Sequence, residues 1–124
     1  MPNNNRYSKY EDKFILGKTD EKSDIFDVLL FAPRDIEEVL IPSFIKVIGS
    51  YAFGYCENLE KIEFAENSML QKIENSAFFK TGIECISIPP HVKIIGANAF
   101  AKCKSLKEVS IPNDSELQII EYKA

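Results

Sequence analysis

Histidine is nearly absent. The 124 residues hold one, His91, and no second histidine or Cys/Asp cluster accompanies it to complete a metal-ligand set or a catalytic triad. There is no glycine-rich phosphate loop and no paired catalytic carboxylates, so neither an enzyme nor a bound cofactor or metal is expected. Three cysteines make an odd count, which fits a reducing compartment better than a disulfide framework. The longest uncharged apolar run, Val28-Leu-Leu-Phe-Ala32, falls far short of the roughly 20 residues that a membrane-spanning helix needs. A net charge of −4 supplies no basic footprint, which argues against nucleic acid as a partner. The polar N-terminus has no apolar stretch of the signal-peptide kind, so the chain is expected to be intracellular or a piece of something longer.

What the chain has instead is a period. Val39, Ile62, Ile86 and Val109 are separated by 23, 24 and 23 residues, and Ile41, Phe64, Ile88 and Ile111 step the same way. A second series, Ile48, Ile73, Ile95 and Ile120, steps by 25, 22 and 25, and Phe53, Phe78 and Phe100 by 25 and 22. The wobble comes from the segments after Phe64 and Ile111, which are two residues longer than their counterparts after Ile41 and Ile88, so long and short loops alternate. Self-similarity at this spacing predicts a solenoid, in which one rung alone buries almost nothing and stacked rungs form a continuous core.

Each rung opens on an apolar-x-apolar pair with strand alternation, such as Ile86-Ser-Ile88. Pro42, Pro89 and Pro112 follow at once and end the strand, because proline cannot donate to a ladder. A second apolar pair, Ile45/Ile48, Leu70/Ile73, Val92/Ile95 and Leu117/Ile120, predicts a second short strand or an extended segment on the opposite side. The pairs Ala52-Phe53, Ala77-Phe78 and Ala99-Phe100 then mark a sharp corner filled by stacked rings, with room for a single turn of helix or 3₁₀. Residues 36–124 are assigned to this repeat, 14–35 to a degenerate rung or N-terminal cap, and 1–13 to a flexible polar tail. The pattern stops at Ala124 one residue before the next phenylalanine is due, from which a fragment or truncated array is expected, with an open C-terminal edge inviting self-association.

Cys56 and Cys103 hold the same place two rungs apart, with Thr81 in that place between them. At about 4.8 Å per rung they stand roughly 9–10 Å apart, beyond the ~7 Å limit for a bridge, so no disulfide is expected. Each thiol, and Thr81, is expected to bond loop backbone inside the stack. Cys85, beside core Ile86, is expected to point outward. Glu57, Glu60, Glu63 and Glu66 recur every third residue but diverge in strand-and-turn geometry, giving a solvated face and no cation site. Asn113-Asp-Ser115 has the pattern of a glycosylation acceptor. The middle rung, from Phe78 to Ile83, is one residue shorter than its neighbours.

The run Ile-Pro-x-x-Val-x-x-Ile-Gly-x-x-Ala-Phe-x-x-Cys-x-x-Leu-x-x-Val-x-Ile-Pro, nearly whole from Ile88 to Pro112 and again from Ile41 to Phe64, resembles the BspA-type leucine-rich repeat. The resemblance covers about seven tenths of the chain. It implies a right-handed, curved leucine-rich-repeat solenoid of about four rungs plus the cap. It also implies a surface or secreted protein of bacteria or parasitic protists, with a role in adhesion and protein binding. Gly49 and Gly96 are replaced by Glu74 and Glu121 in the other rungs, so that place does not require a left-handed backbone. The expected protein-binding surface is the outward row of the first strand of each rung: Glu38, Leu40, Lys61, Glu63, Cys85, Ser87, Glu108 and Ser110. From standard spacings this row offers only about 200 Å², against about 800 Å² per partner in a standard interface. On its own it should bind weakly.

Overall fold

The structure, a computed structural model, describes residues 8–10 and 14–123. Strands β1 (Ser8–Tyr10), β2 (Phe14–Gly17) and β3 (Val28–Phe31) run antiparallel in sequence, and the chain then turns into a parallel coil. On one side of the coil β3 continues into the two-residue strands β5 (Val47–Ile48), β7 (Lys72–Ile73), β9 (Ile94–Ile95) and β11 (Ile119–Ile120), giving one seven-stranded sheet. On the other side lie β4 (Glu38–Ile41), β6 (Lys61–Phe64), β8 (Cys85–Ser87) and β10 (Glu108–Ser110). The result is a β-solenoid of about four turns, with no helix among the described residues.

The register follows the period. Val39 pairs with Ile62 and Ile86 with Val109, while Ile48, Ile73, Ile95 and Ile120 align rung on rung. Ile41, Ile45, Ile48, Leu70, Ile73 and Ile83 are fully buried between the two sides. The corner rings stack as expected: Phe53 lies 5.2 Å from Phe78, and Phe78 lies 5.4 Å from Phe100, with ring planes within 5°.

Two expectations need correction, and a third, the tail, is described only in part. The expected tail lies outside the described residues except at Ser8–Tyr10, which pairs with β2. The corner is not helical. Its alternate amides bond within the rung, as in Ala52 N–H to the Gly49 carbonyl, and across rungs, as in Phe53 N–H to the Ala77 carbonyl. Left-handed residues recur on each side of the phenylalanine, at Tyr51 and Tyr55, Ser76 and Lys80, and Asn98 and Lys102, and a right-handed turn cannot propagate through them. Finally, the more continuous ladder belongs to the two-residue strands. On the outward-row side the sheet divides into β4–β6 and β8–β10, and no backbone hydrogen bond joins β6 to β8 among the described residues.

That division falls where the shortened middle rung follows the one before it. Gly82, in its tightened turn, sits directly on the rung before it: a Cβ there would stand 2.6 Å from the Glu57 carbonyl oxygen and 3.1 Å from that of Leu59.

The cap covers the first rung with Phe14, Leu16 and Leu29, all buried. Asp27, also buried, is held by Thr19, whose backbone N–H and Oγ1 donate to its carboxylate at 2.8 and 2.7 Å. Ala32 takes the corner place of Phe53, its N–H bonded to the Ala52 carbonyl. Phe31 is part-exposed instead, with the Arg34 guanidinium 4.3 Å over its ring.

Candidate functional site

The outward row emerges from β4, β6, β8 and β10 because strand alternation sends Val39, Ile62 and Ile86 inward and their neighbours out. Glu38, Leu40, Lys61, Glu63, Cys85, Ser87 and Glu108 are exposed and Ser110 is half-buried. The register sets Glu38 beside Lys61, Leu40 beside Glu63, Cys85 beside Glu108 and Ser87 beside Ser110. Leu40, 59% exposed, is the one large apolar side chain of the row. Lys61 Nζ reaches Glu63 Oε1 at 3.1 Å, and that hydrogen bond raises the lysine pKa above its ordinary value. Ser110 Oγ donates to Glu108 at 2.9 Å.

Between β6 and β8 the row is cut by a cleft of about 650 Å³, lined on its flanks by Lys61, Glu63, Cys85 and Ser87. Its interior reaches Ile62, Phe64, Ile86 and Ile88, and it runs to Asn67, Pro89, Pro90 and His91 at the turn end. The sequence placed these side chains on one face but gave no sign of the cleft.

His91 is exposed and bonds Glu116 of the following rung at 2.5 Å, an ion pair when the ring is protonated. The pairing follows from register, since each residue precedes an aligned core position, Val92 and Leu117. The three cysteines are free. Cys56 Sγ donates to the Pro33 carbonyl at 3.4 Å and Cys103 Sγ to the Phe78 carbonyl at 3.0 Å, as expected of thiols serving loop backbone. Burial pushes the Cys56 pKa up, partly offset by a hydrogen bond from Arg34. Cys85 is exposed, as expected. No group of three metal-ligating side chains occurs among the described residues. A cluster that sequence reasoning missed is formed by Tyr51, Tyr55 and Phe79, with both tyrosines about half-exposed and their rings 6.0 and 5.5 Å from that of Phe79.

Comparison with known proteins agrees with this architecture. A family model for the BspA type leucine rich repeat region matches residues 27–124 in six copies, beginning inside the segment read as a cap. Among solved structures, the pneumococcal vaccine antigen PcpA is 32% identical over 69% of this chain and 21% of its own, with a TM-score of 0.67. A leucine-rich cell surface protein from Faecalibacterium prausnitzii is 32% identical over 65% of this chain and 20% of its own, with a TM-score of 0.59. The chain thus spans about a fifth of the length of each. No curated protein matches it.

Proposed function

The chain belongs to the BspA-type leucine-rich repeat family, and from that premise we propose that it is a non-catalytic protein-binding module of a cell-surface adhesin, working through the outward row. Repeats of this kind serve generally in protein interaction, and the relatives matched above include a cell-surface protein. The observation that carries the reading is the row itself: within β4–β6 and within β8–β10 its side chains stand in register, all but Ser110 exposed, on strands fixed by the core beneath. A rigid row of mixed charge around exposed Leu40 suits a protein surface better than a small substrate. Its small area calls for further rungs or avidity to reach tight binding.

The test takes a partner identified from an array of extracellular proteins and measures its Kd against two variants. Leu40→Arg lies in the row, whereas Gln71→Arg is exposed just before β7 on the other side. The reading expects at least a tenfold loss for the first and less than twofold for the second. Equal effects would remove the row as the binding face.

A second reading, self-association, rests on the apolar side chains exposed along β11 and β10, among them Ile119 at 45%, Ile120 at 59% and Val109 at 40%. Edge strands carrying such residues pair readily with another copy. Sedimentation at tens of micromolar decides it: a monomer there ends this reading.

A further inference from the structure

We propose that Tyr51, Tyr55 and Phe79 form a carbohydrate-binding platform at the corner of the coil, taking an acidic glycan whose sugar rings lie against the tyrosines and whose carboxylates meet Lys80 and Lys102. The corner joins β5 to β6, so the platform is a site apart from the outward row and does not rest on the reading of that row. Three observations converge. First, the fold does not require aromatic residues here. Tyr51 and Tyr55 hold the places that Ser76 and Lys80 hold in the next rung and Asn98 and Lys102 in the one after, all with a left-handed φ between 57 and 64°. Bulky side chains suit that region badly, and backbone outliers of this kind gather at functional sites. Second, the rings are displayed. Tyr51 is 48% and Tyr55 51% exposed, and their rings are parallel within 7°, with centroids 6.4 Å apart and the Phe79 ring edge-on to both. Gly54 between them leaves room for this arrangement, since a Cβ there would stand 2.8 Å from Tyr51 Cδ1. Half-exposed parallel rings suit a pyranose, whose axial C–H bonds carry partial positive charge and meet the negative ring face, while the phenol groups serve its hydroxyls. Third, cations stand beside the rings. Lys80 Nζ lies 5.8 Å from the centre of the Tyr55 ring, Lys102 takes the same place one rung on, and neither has an ion pair among the described residues. A cation already over Tyr55 disfavours a cationic ligand and complements an anionic one. Single-stranded nucleic acid also combines stacking with negative charge, but it needs a cationic groove that tracks its backbone, and this chain carries a net charge of −4.

The test titrates the full chain into an end-labelled octamer of galacturonic acid and follows fluorescence anisotropy. A Kd below about 1 mM is expected. The repeat itself supplies variants that its corner accommodates: Tyr51→Ser with Tyr55→Lys copies the next rung, and Phe79→Ala copies Ala101 of the rung after. The double variant should bind at least about fivefold more weakly, because two stacking faces are gone. A merely ionic surface would instead bind more tightly, since that variant gains a positive charge. Phe79→Ala should weaken binding at least about threefold by unbracing the tyrosines. The methyl-esterified octamer should bind at least about threefold more weakly than the acid, and an octamer of glutamate, which has the charge without sugar faces, more weakly still. The chain has no tryptophan, so its intrinsic fluorescence comes from tyrosine, and saturating octamer should change it. Absence of binding at 1 mM, an affinity unchanged or raised in the double tyrosine variant, or tighter binding of the glutamate octamer or of an eight-residue oligothymidylate overturns the proposal. Leu40→Arg should alter the octamer affinity less than about twofold, so the platform and the outward row stand or fall separately.

Discussion

Thr81 Oγ1 lies 3.2 Å from Cys103 Sγ, one rung away and 22 residues on in the chain. Cys56, Thr81 and Cys103 thus occupy one column inside the coil, with Thr81 hydrogen-bonded to Cys103. Adjacent rungs put Cα atoms about 5 Å apart, within the range a disulfide spans. Thr81→Cys should accordingly form a bridge to Cys103 under mild oxidation. Closing a loop of this length should add about 3 kcal/mol. Mass spectrometry of the non-reduced protein checks the bond, and urea midpoints with and without reductant check the gain.

Gly82 supports the shortened rung, and its effect is steric. Gly82→Ala forces a methyl group to within 2.6 Å of the Glu57 carbonyl oxygen, a backbone atom that cannot swing aside. A loss of about 1–3 kcal/mol is expected, measured by chemical denaturation. If the tightened turn is what opens the neighbouring ladder, the same variant should also change how fast Cys85 is alkylated.

The architecture was readable because it repeats. Val39 over Ile62, Ile86 over Val109 and the column through Ile48 and Ile73 were each predicted by subtraction, since a coil turns equal spacing into contact. The outward row followed from alternation. The break between β6 and β8 did not, because deletion of one residue alters the local course of the backbone without altering the apolar pattern. The left-handed corners were hidden for a different reason. Tyr51, Tyr55, Ser76, Lys80 and Lys102 carry no composition signal for that conformation, and only Asn98 belongs to a type that enters it readily.

The central ring of the corner stack should matter most. Phe78 is fully buried with a parallel ring on each side, whereas Phe100 has one ring neighbour and is 9% exposed. Phe78→Ala is expected to cost about 3–5 kcal/mol, and Phe100→Ala less, compared by urea unfolding at one protein concentration.

Lys102 adopts a φ of 63° and its position is exposed, so its backbone strain can be relieved without disturbing the core. A left-handed residue other than glycine costs about 1–2 kcal/mol. Glycine removes that cost but returns roughly 0.5–1 kcal/mol of it as lost chain entropy. Lys102→Gly should therefore stabilise by about 0.5–1 kcal/mol. Lys102→Val should destabilise instead, because a branched side chain fits this region worst. Thermal melts of the two variants beside the parent protein decide between strain and indifference.

Cys56 links the cap to the repeats through its bond to the Pro33 carbonyl, and titration of its thiol offers a test of that union. Burial raises its pKa above the ordinary 9.0, so the unfolded thiol ionises at lower pH than the folded one. Below the unfolded pKa both states hold the proton and stability is unaffected. As pH rises through it, the unfolded state binds fewer protons, and the contribution of this thiol to stability falls until the folded pKa is reached. Cys56→Ser removes the titration while leaving a hydroxyl that can still donate to the Pro33 carbonyl. The parent protein should therefore lose more of its urea midpoint between pH 8 and pH 10 than the serine variant does, whatever constant offset separates the two at pH 7. Parallel curves across that range would show that the thiol titrates alike in both states, and that burial against Pro33 and Arg34 does not hold its proton.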